Sequence, residues 1–320
     1  MKKPNLFIIG APKSGTSALA AYLDEHPSVF ISNPKEPFFW STDYPGLRKR
    51  QQLESVDDYL QLFNGAKDQH EIIGEGSTNY LRSETAIANI LKFNPQAKFI
   101  VMLRNPVEVA HAFQSECLFA FIERVEDFET AWGLQATRAS GNQVPDGCLA
   151  PQFLQYGRVA SYADQIERLF ELVPERQRKV ILFDDFRDDN AGTYRDVQEF
   201  LELPLFEKSE FQRVNAAHGH RSKLVANLIL NPPRALKPAV ELLRRVLRSE
   251  NKNSWTARLK ARFRKAEKRK PLSPEFRSEL EHFFAADVMK LELLLNRDLS
   301  NWPESVRTPT QTQTLCTNSQ

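Results

Sequence analysis

The chain has 320 residues, 41% hydrophobic and 26% charged, with a formal net charge of +2. These proportions fit an ordinary soluble globular protein with room for one large α/β domain or two small ones. So small a net charge argues against a general nucleic-acid binder, and the lack of any run of about 18 apolar residues argues against a membrane-spanning helix.

Short apolar runs bounded by turn residues alternate with segments of helical period. That is the pattern of a mostly parallel sheet covered by helices. "NLFIIG" reads as a first strand. Two lysines precede it, but an apolar stretch of about six residues is too short for a secretory leader. "SALAAYLDEH" follows as a helix with Leu19, Tyr22 and Leu23 on one face, stopped by Pro27. "SVFIS" and "EIIGEG" read as strands. "AKFIVMLR" is the clearest strand and runs into "NPVEVAHAF", where Asn105 can cap, Pro106 suits the first helical position and Glu108 completes a capping box. One helix is expected from about Arg158 to Leu172, with Val159, Tyr162, Ile166, Leu169, Phe170 and Val173 on one face.

"KVILFDDF" reads as the next strand, and a further helix carries Tyr194, Val197, Phe200 and Leu201. Between Arg234 and Lys270, fourteen Lys or Arg face three acids. This basic segment, about 231–270 and taken as helical, reads either as an amphipathic surface that meets an acidic membrane or anionic substrate, or as a solvated helical hairpin over a cleft. Ser273 then caps a long helix with Phe276, Leu280, Phe283, Phe284, Val288, Leu291 and Leu295 inward. Residues 1–302 form the expected domain, and the tail 303–320 lacks a core pattern and is expected to be disordered. Cys117, Cys148 and Cys316 make no metal spacing and no even disulfide set, which points to a reducing, cytoplasmic compartment while leaving room for one buried pair. No metal is expected, and no internal repeat is present.

"IIGAPKSGTS" poses the chemical question. Gly10, Gly15 and Ser17 keep the spacing of a phosphate-binding loop, but Thr16 stands where such loops carry lysine and Lys13 lies mid-loop. A glycine-rich turn from strand to helix gathers backbone N–H groups and the positive end of a helix dipole, so an anion site is expected. A lysine at position 13 cannot reach a γ-phosphate as in a nucleotide triphosphatase. "VILFDDF" resembles an acidic strand end that supports magnesium, yet strands often end in Asp for reasons of turn geometry.

These residues resemble the sulfotransferases that use 3′-phosphoadenosine 5′-phosphosulfate (PAPS) and release adenosine 3′,5′-bisphosphate. The resemblance runs through "PKSGTS" and "LRNPVE" and extends to about Trp302. It implies an α/β fold, a P-loop-like parallel sheet flanked by helices. It further implies that Pro12, Lys13, Ser14, Gly15, Thr16 and Ser17 wrap the 5′-phosphate and sulfonate, and that Arg104 grips the 3′-phosphate. Eight residues after Arg104 the family usually has serine; here stands Ala112, at a cost of roughly 0.5–1.5 kcal/mol for one hydrogen bond. Ser115, a turn further on, is the expected partial substitute. Arg221 and Ser222 in "AHGHRSKL" align with a late basic segment near the 3′-phosphate.

"NPKEPFFW" resembles the Lys-Glu pair followed by aromatics of glycan-type members. It implies Glu36 as base, Lys35 as an anion or substrate contact, and Phe38 and Phe39 as pocket residues; aromatic neighbours would raise the Glu36 pKa by desolvation. His111 is a second candidate base, whereas His26, before Pro27, suits a cap. "GEGSTNYL" resembles another family segment, in which Glu75 is catalytic, a substrate contact or a structural carboxylate, Tyr80 packs in the core, and Gly76 stands where glycan-modifying relatives often carry lysine. The implied partner is a hydroxyl acceptor, small-molecule, carbohydrate or lipid. A P-loop nucleotide kinase and a catalytically weak binding module are the competing readings.

Overall fold

The computed structural model describes residues 2–49, 51–146, 148, 150–212 and 269–302, and the backbone alone of 50, 218–220 and 264–266. A five-stranded sheet forms the centre, built from β1 (Leu6–Gly10), β2 (Val29–Ile31), β3 (Ile72–Glu75), β4 (Lys98–Leu103) and β5 (Arg178–Leu182). Spatial order is β2-β3-β1-β4-β5, and every pairing is parallel, with Leu6 opposite Gly74 and Phe7 opposite Phe99. From β1 the chain builds outward to β2 and β3, then returns to lay β4 on the other side of β1. Open sheets of this kind carry their crevice where that reversal occurs, beyond the carboxyl ends of the strands.

Both faces of the sheet are covered, as all-parallel strands require. Alternation sends Phe7, Ile9, Phe99, Val101 and Leu103 into one core and Leu6, Ile8, Ile100 and Met102 into another. The second core is closed by α1 (Thr16–Leu23) and by α11 (Asn190–Phe200), through Leu19, Tyr22, Tyr194 and Val197. The larger first core is closed by α4 (Ala86–Phe93), α5 (Pro106–Phe119), α8 (Tyr156–Ala160), α9 (Ala163–Leu172) and α12 (Pro274–Leu295). Shorter helices α2 (Pro45–Gln51), α3 (Val56–Gln61), α6 (Phe128–Gly133), α7 (Gln135–Ala139) and α10 (Phe183–Asp188) complete the layers. Among the described residues no helix is long and apolar enough to cross a membrane.

Several expectations need correction. The helix expected from Arg158 to Leu172 is two, α8 and α9. It breaks at Ser161 and Tyr162 because Asp287 of α12 accepts from the Tyr162 and Ala163 N–H groups at 2.7 and 3.0 Å, capping α9 from another element. The strand read in "KVILFDDF" stops at Leu182, and Phe183 opens α10. Phe283, expected inward, is 54% exposed. The buried seam of α12 runs through Phe276, Leu280, Phe284, Val288 and Leu291, leaving Phe283 at its edge against Trp132. Asn105 caps α5 by accepting from the Val107 and Glu108 N–H groups, but the Glu108 carboxylate makes no capping box because Arg277 of α12 takes it.

Within the basic segment expected to be helical, Arg264–Ala266 is extended (β7) and pairs antiparallel with β6 (His218–His220). Arg221, Ser222, the rest of the segment up to residue 268, Cys316 and the tail 303–320 lie outside the described residues. Cys117 and Cys148 are free thiols.

Candidate active site

Four chain segments meet beyond the carboxyl ends of β1, β3 and β4. The first is the turn from β1 to α1. Gly15 is the N-cap of α1 at φ +91°, and a Cβ there would sit 3.2 Å from the Met102 Cε and the Phe183 ring, so glycine is required on both counts. Gly15 has no side chain with which to cap α1, so the N-cap residue leaves the helix's first N–H groups uncapped. Lys13, also at positive φ (61°), projects its ammonium outward. Pro12, Ser14 and Thr16 are buried, Ser17 is half-buried, and the Ser14 hydroxyl donates to the Pro12 carbonyl at 3.4 Å.

The second segment is the loop after β2. Lys35 Nζ lies 3.1 Å from Glu36 Oε1 and donates to Thr16 Oγ1 at 3.4 Å, tying this loop to the first turn of α1. Thr78 Oγ1 donates to the same Glu36 oxygen at 3.5 Å. Lys35 reaches this position by lying across Gly76, where a Cβ would come within 2.7 Å of the Lys35 Cε.

The third segment is α5. Glu116, three turns in, pairs with Lys13 at 3.3 Å. Lys13, Glu116, Lys35 and Glu36 therefore form one patch of two cations and two carboxylates at the mouth of the β1–α1 turn. Glu36 keeps 31% of its side chain accessible, yet burial is the main influence on it and pushes its carboxyl above the usual range. Lys35 pulls it back down and the Glu116 charge pushes it further up.

Arg104 belongs to the fourth segment, at the end of β4. Its guanidinium lies over the Phe183 ring at 4.7 Å, donates to the Lys13 carbonyl at 3.4 Å and meets Glu108 at 3.8 Å. Both polar contacts are long, so among the described residues the guanidinium makes no short hydrogen bond. One site thus offers an uncapped helix N-terminus with two lysines, and a second arginine-bearing position on the neighbouring strand end.

The model of the sulfotransferase family matches residues 4–208, well over half of the chain. The chain belongs to the sulfotransferase family. Human carbohydrate sulfotransferase 15 is 30% identical over 256 residues, covering 65% of this chain and 45% of the human protein. Human bifunctional heparan sulfate N-deacetylase/N-sulfotransferase 3 is 26% identical over 218 residues, covering 65% of this chain and 23% of the human protein. This sulfotransferase-family chain therefore spans less than half the length of these curated relatives. The crystal structure of a sulfotransferase from Alicyclobacillus acidocaldarius superposes with a TM-score of 0.67 at 26% identity, over 94% of this chain and 99% of that one. The parallel sheet flanked by helices is the sulfotransferase fold.

Glu75, for which the sequence leaves catalytic, substrate-contact and structural roles open, has no accessible surface. Its carboxylate accepts from Ser77 Oγ at 2.6 Å, Tyr59 OH at 2.9 Å and Tyr80 OH at 3.0 Å. Two of these donors also hold the loop that carries Glu36: Ser77 Oγ accepts from the Phe38 N–H at 3.0 Å and Tyr80 OH from the Trp40 N–H at 3.2 Å. Glu75 is therefore a structural clamp beneath the Glu36 loop, and Gln51 Nε2, donating to the Glu36 carbonyl at 3.0 Å, steadies that loop from α2. Burial pushes the Glu75 carboxyl up to about 7, against the lowering effect of its three hydroxyl donors. A folded-state pKa raised from 4.5 favours the protonated native state. The stability it confers is full below the unfolded value and is lost as pH rises through about 7, on a scale of about 3 kcal/mol. Denaturant unfolding at about pH 5 and about pH 8 is expected to show this loss in the wild type and not in Glu75→Gln; equal pH slopes would remove the assignment.

Other expected residues are placed as follows. Phe39 is buried and stacked on Tyr59 at 4.8 Å, so it builds the wall behind the loop, whereas Phe38 is half-buried at its rim. Ser115 donates back to the His111 carbonyl at 3.3 Å on its own helix. His111 stacks on Phe128, and burial together with Arg269 lowers its pKa to about 4. His26 accepts from the Ser28 N–H and packs against Phe206, closing the turn after α1. Asp184 accepts from Arg187 and from the Trp302 indole, and Asp185 pairs with Arg297, so both acids after β5 are committed to structural contacts. Sequence reasoning missed Glu116, Thr78 and Gln51, whose roles arise only from tertiary placement, with no motif to mark them.

Proposed function

We propose that this chain moves a sulfonate group from PAPS to a hydroxyl of an acceptor, with Glu36 as the base. The observation that carries this reading is the meeting of Lys13, Lys35, Thr16 and Glu36 at the mouth of the β1–α1 turn. The turn suits a 5′-phosphosulfate: Gly15, the N-cap of α1, has no side chain to occupy the first N–H groups, and the Lys13 and Lys35 ammonium groups lie beside it. PAPS, when bound, supplies an activated sulfonate whose leaving group is the nucleotide 5′-phosphate.

Lys13 would turn from Glu116 to the anion and stabilise charge developing on the leaving oxygen. Thr16, already held by Lys35, adds a hydroxyl at the helix start. Glu36 takes the proton of the acceptor hydroxyl, and its raised pKa brings it closer to the strength that proton transfer near neutral pH needs. Arg104, on the neighbouring strand end, is placed for the phosphate at the nucleotide's 3′ position. The names of the curated relatives, a carbohydrate sulfotransferase and a heparan sulfate N-sulfotransferase, support carbohydrates as the first acceptors to screen, with a sugar amine as the control against a sugar hydroxyl.

The test is thermal unfolding with adenosine 3′,5′-bisphosphate or with ATP and magnesium. A ligand at about 100 times its dissociation constant stabilises by about 2.7 kcal/mol, several degrees in a domain of this size. Stabilisation by the bisphosphate is expected; stabilisation by ATP and magnesium alone would replace this reading with that of a kinase.

A further inference from the structure

Beyond the reaction centre, the end of β4 opens into a cleft of about 320 Å³ lined by Arg104, Asn105, Glu108, Phe183, Arg277 and Trp302, among others. Two guanidinium groups converge on it from different elements. Glu108 holds them together, accepting from Arg277 Nη2 at 2.7 Å and meeting Arg104 Nη2 at 3.8 Å. Arg269 adds a third positive group on the far side, with Nη1 3.5 Å from the Glu108 carbonyl. Arg187, also on the cleft, is engaged by Asp184 and Asp188.

Arg277 is 42% exposed at its side chain, and among the described residues its other short-range partner, Glu281, stands 3.9 Å from Nη1. That exposure leaves its guanidinium accessible from the cleft.

We propose that Arg277 of α12 is a binding residue for the donor nucleotide, pairing with Arg104 to grip a phosphate carried away from the transferred group. The proposal rests on the sulfonate-transfer reading above. A phosphate dianion suits two forked guanidiniums held at a shared carboxylate, each able to donate in bidentate fashion. The arrangement also recruits the C-terminal helix to a site otherwise built from the strand ends.

The probes are adenosine 3′,5′-bisphosphate and adenosine 5′-monophosphate, with dissociation constants measured by calorimetry. The wild type is expected to prefer the bisphosphate. Arg277→Ala is expected to weaken bisphosphate binding about 10–100-fold, the usual range for a hydrogen bond to a charged group, while monophosphate binding stays within about twofold. Arg277→Lys, which keeps the charge and a donor for Glu108, is expected to fall between.

If Arg277→Ala and Arg277→Lys both retain the full bisphosphate preference, or lose both nucleotides equally, Arg277 is only a strut between α12 and α5 and the proposal is overturned. A wild type that does not distinguish the two nucleotides overturns the donor assignment itself, and this proposal with it.

Discussion

Replacing Glu36 by glutamine is expected to lower kcat by about 10²–10⁴-fold, the usual contribution of a positioned general base, or about 3–5 kcal/mol of activation free energy. Glutamine keeps the shape of the side chain and an oxygen for Lys35 and Thr78 to approach, so the loop and donor binding should change little. The effect should fall on kcat rather than on the affinity for adenosine 3′,5′-bisphosphate. The pH profile gives a second readout. The carboxylate is the active form, so the rate falls as pH drops through the folded-state pKa, which burial holds above 4.5. Glu116→Gln removes the like charge that raises it, moving the acid limb to lower pH. Lys35→Met removes the cation that lowers it, moving the limb to higher pH. A Glu36→Gln enzyme with unchanged kcat, or acid limbs that ignore both neighbours, would assign the proton to another group.

Features written in local chemistry were legible in the sequence. Gly10 and Gly15 mark a strand-to-helix turn, because at position 15 a φ of +91° strains any other residue and a Cβ would crowd Met102 and Phe183. Asn105 followed by Pro106 marks a helix start, because one side chain caps and one ring presets φ. The strand "AKFIVMLR" was equally plain from its unbroken apolar run.

What could not be read was long-range. Asp287 breaks the helix before Ala163 from 124 residues away, and no local signal at Ser161 announces it. Glu108 has the spacing of a capping box, but an arginine 169 residues later competes for its carboxylate and wins. Glu75 sits in a segment that suggested substrate contact; only its enclosure by Tyr59, Tyr80 and Ser77 shows a clamp. The Lys13–Glu116 pair is of the same kind. Gly76 is a further case: the Lys35 side chain lies across it, with Cε 2.7 Å from where a Cβ would stand and the ammonium at Glu36, a contact between residues 41 positions apart that no local pattern announces.

Lys13→Ala is expected to cost about 10²–10³-fold in kcat, the range seen when one preorganised donor to a developing oxyanion is lost. It is also expected to weaken donor binding, because Glu116 would then stand uncompensated beside an incoming anion. Two roles for Lys13 must be told apart: acting on the donor, or merely neutralising Glu116. The double mutant Lys13→Ala/Glu116→Ala separates them. If Lys13 acts on the donor, removing Glu116 restores part of the binding, since the like-charge repulsion is gone, while kcat stays low. If Lys13 only balances Glu116, the double mutant regains wild-type kcat and the catalytic assignment fails. Lys13→Arg sharpens the comparison, because a guanidinium keeps the charge and the Glu116 pair while its planar fork replaces the compact ammonium at the leaving oxygen. Near-normal donor binding with depressed kcat in Lys13→Arg would place the lysine's contribution at the reacting atoms, which the paired geometry at Glu116 could not supply by itself.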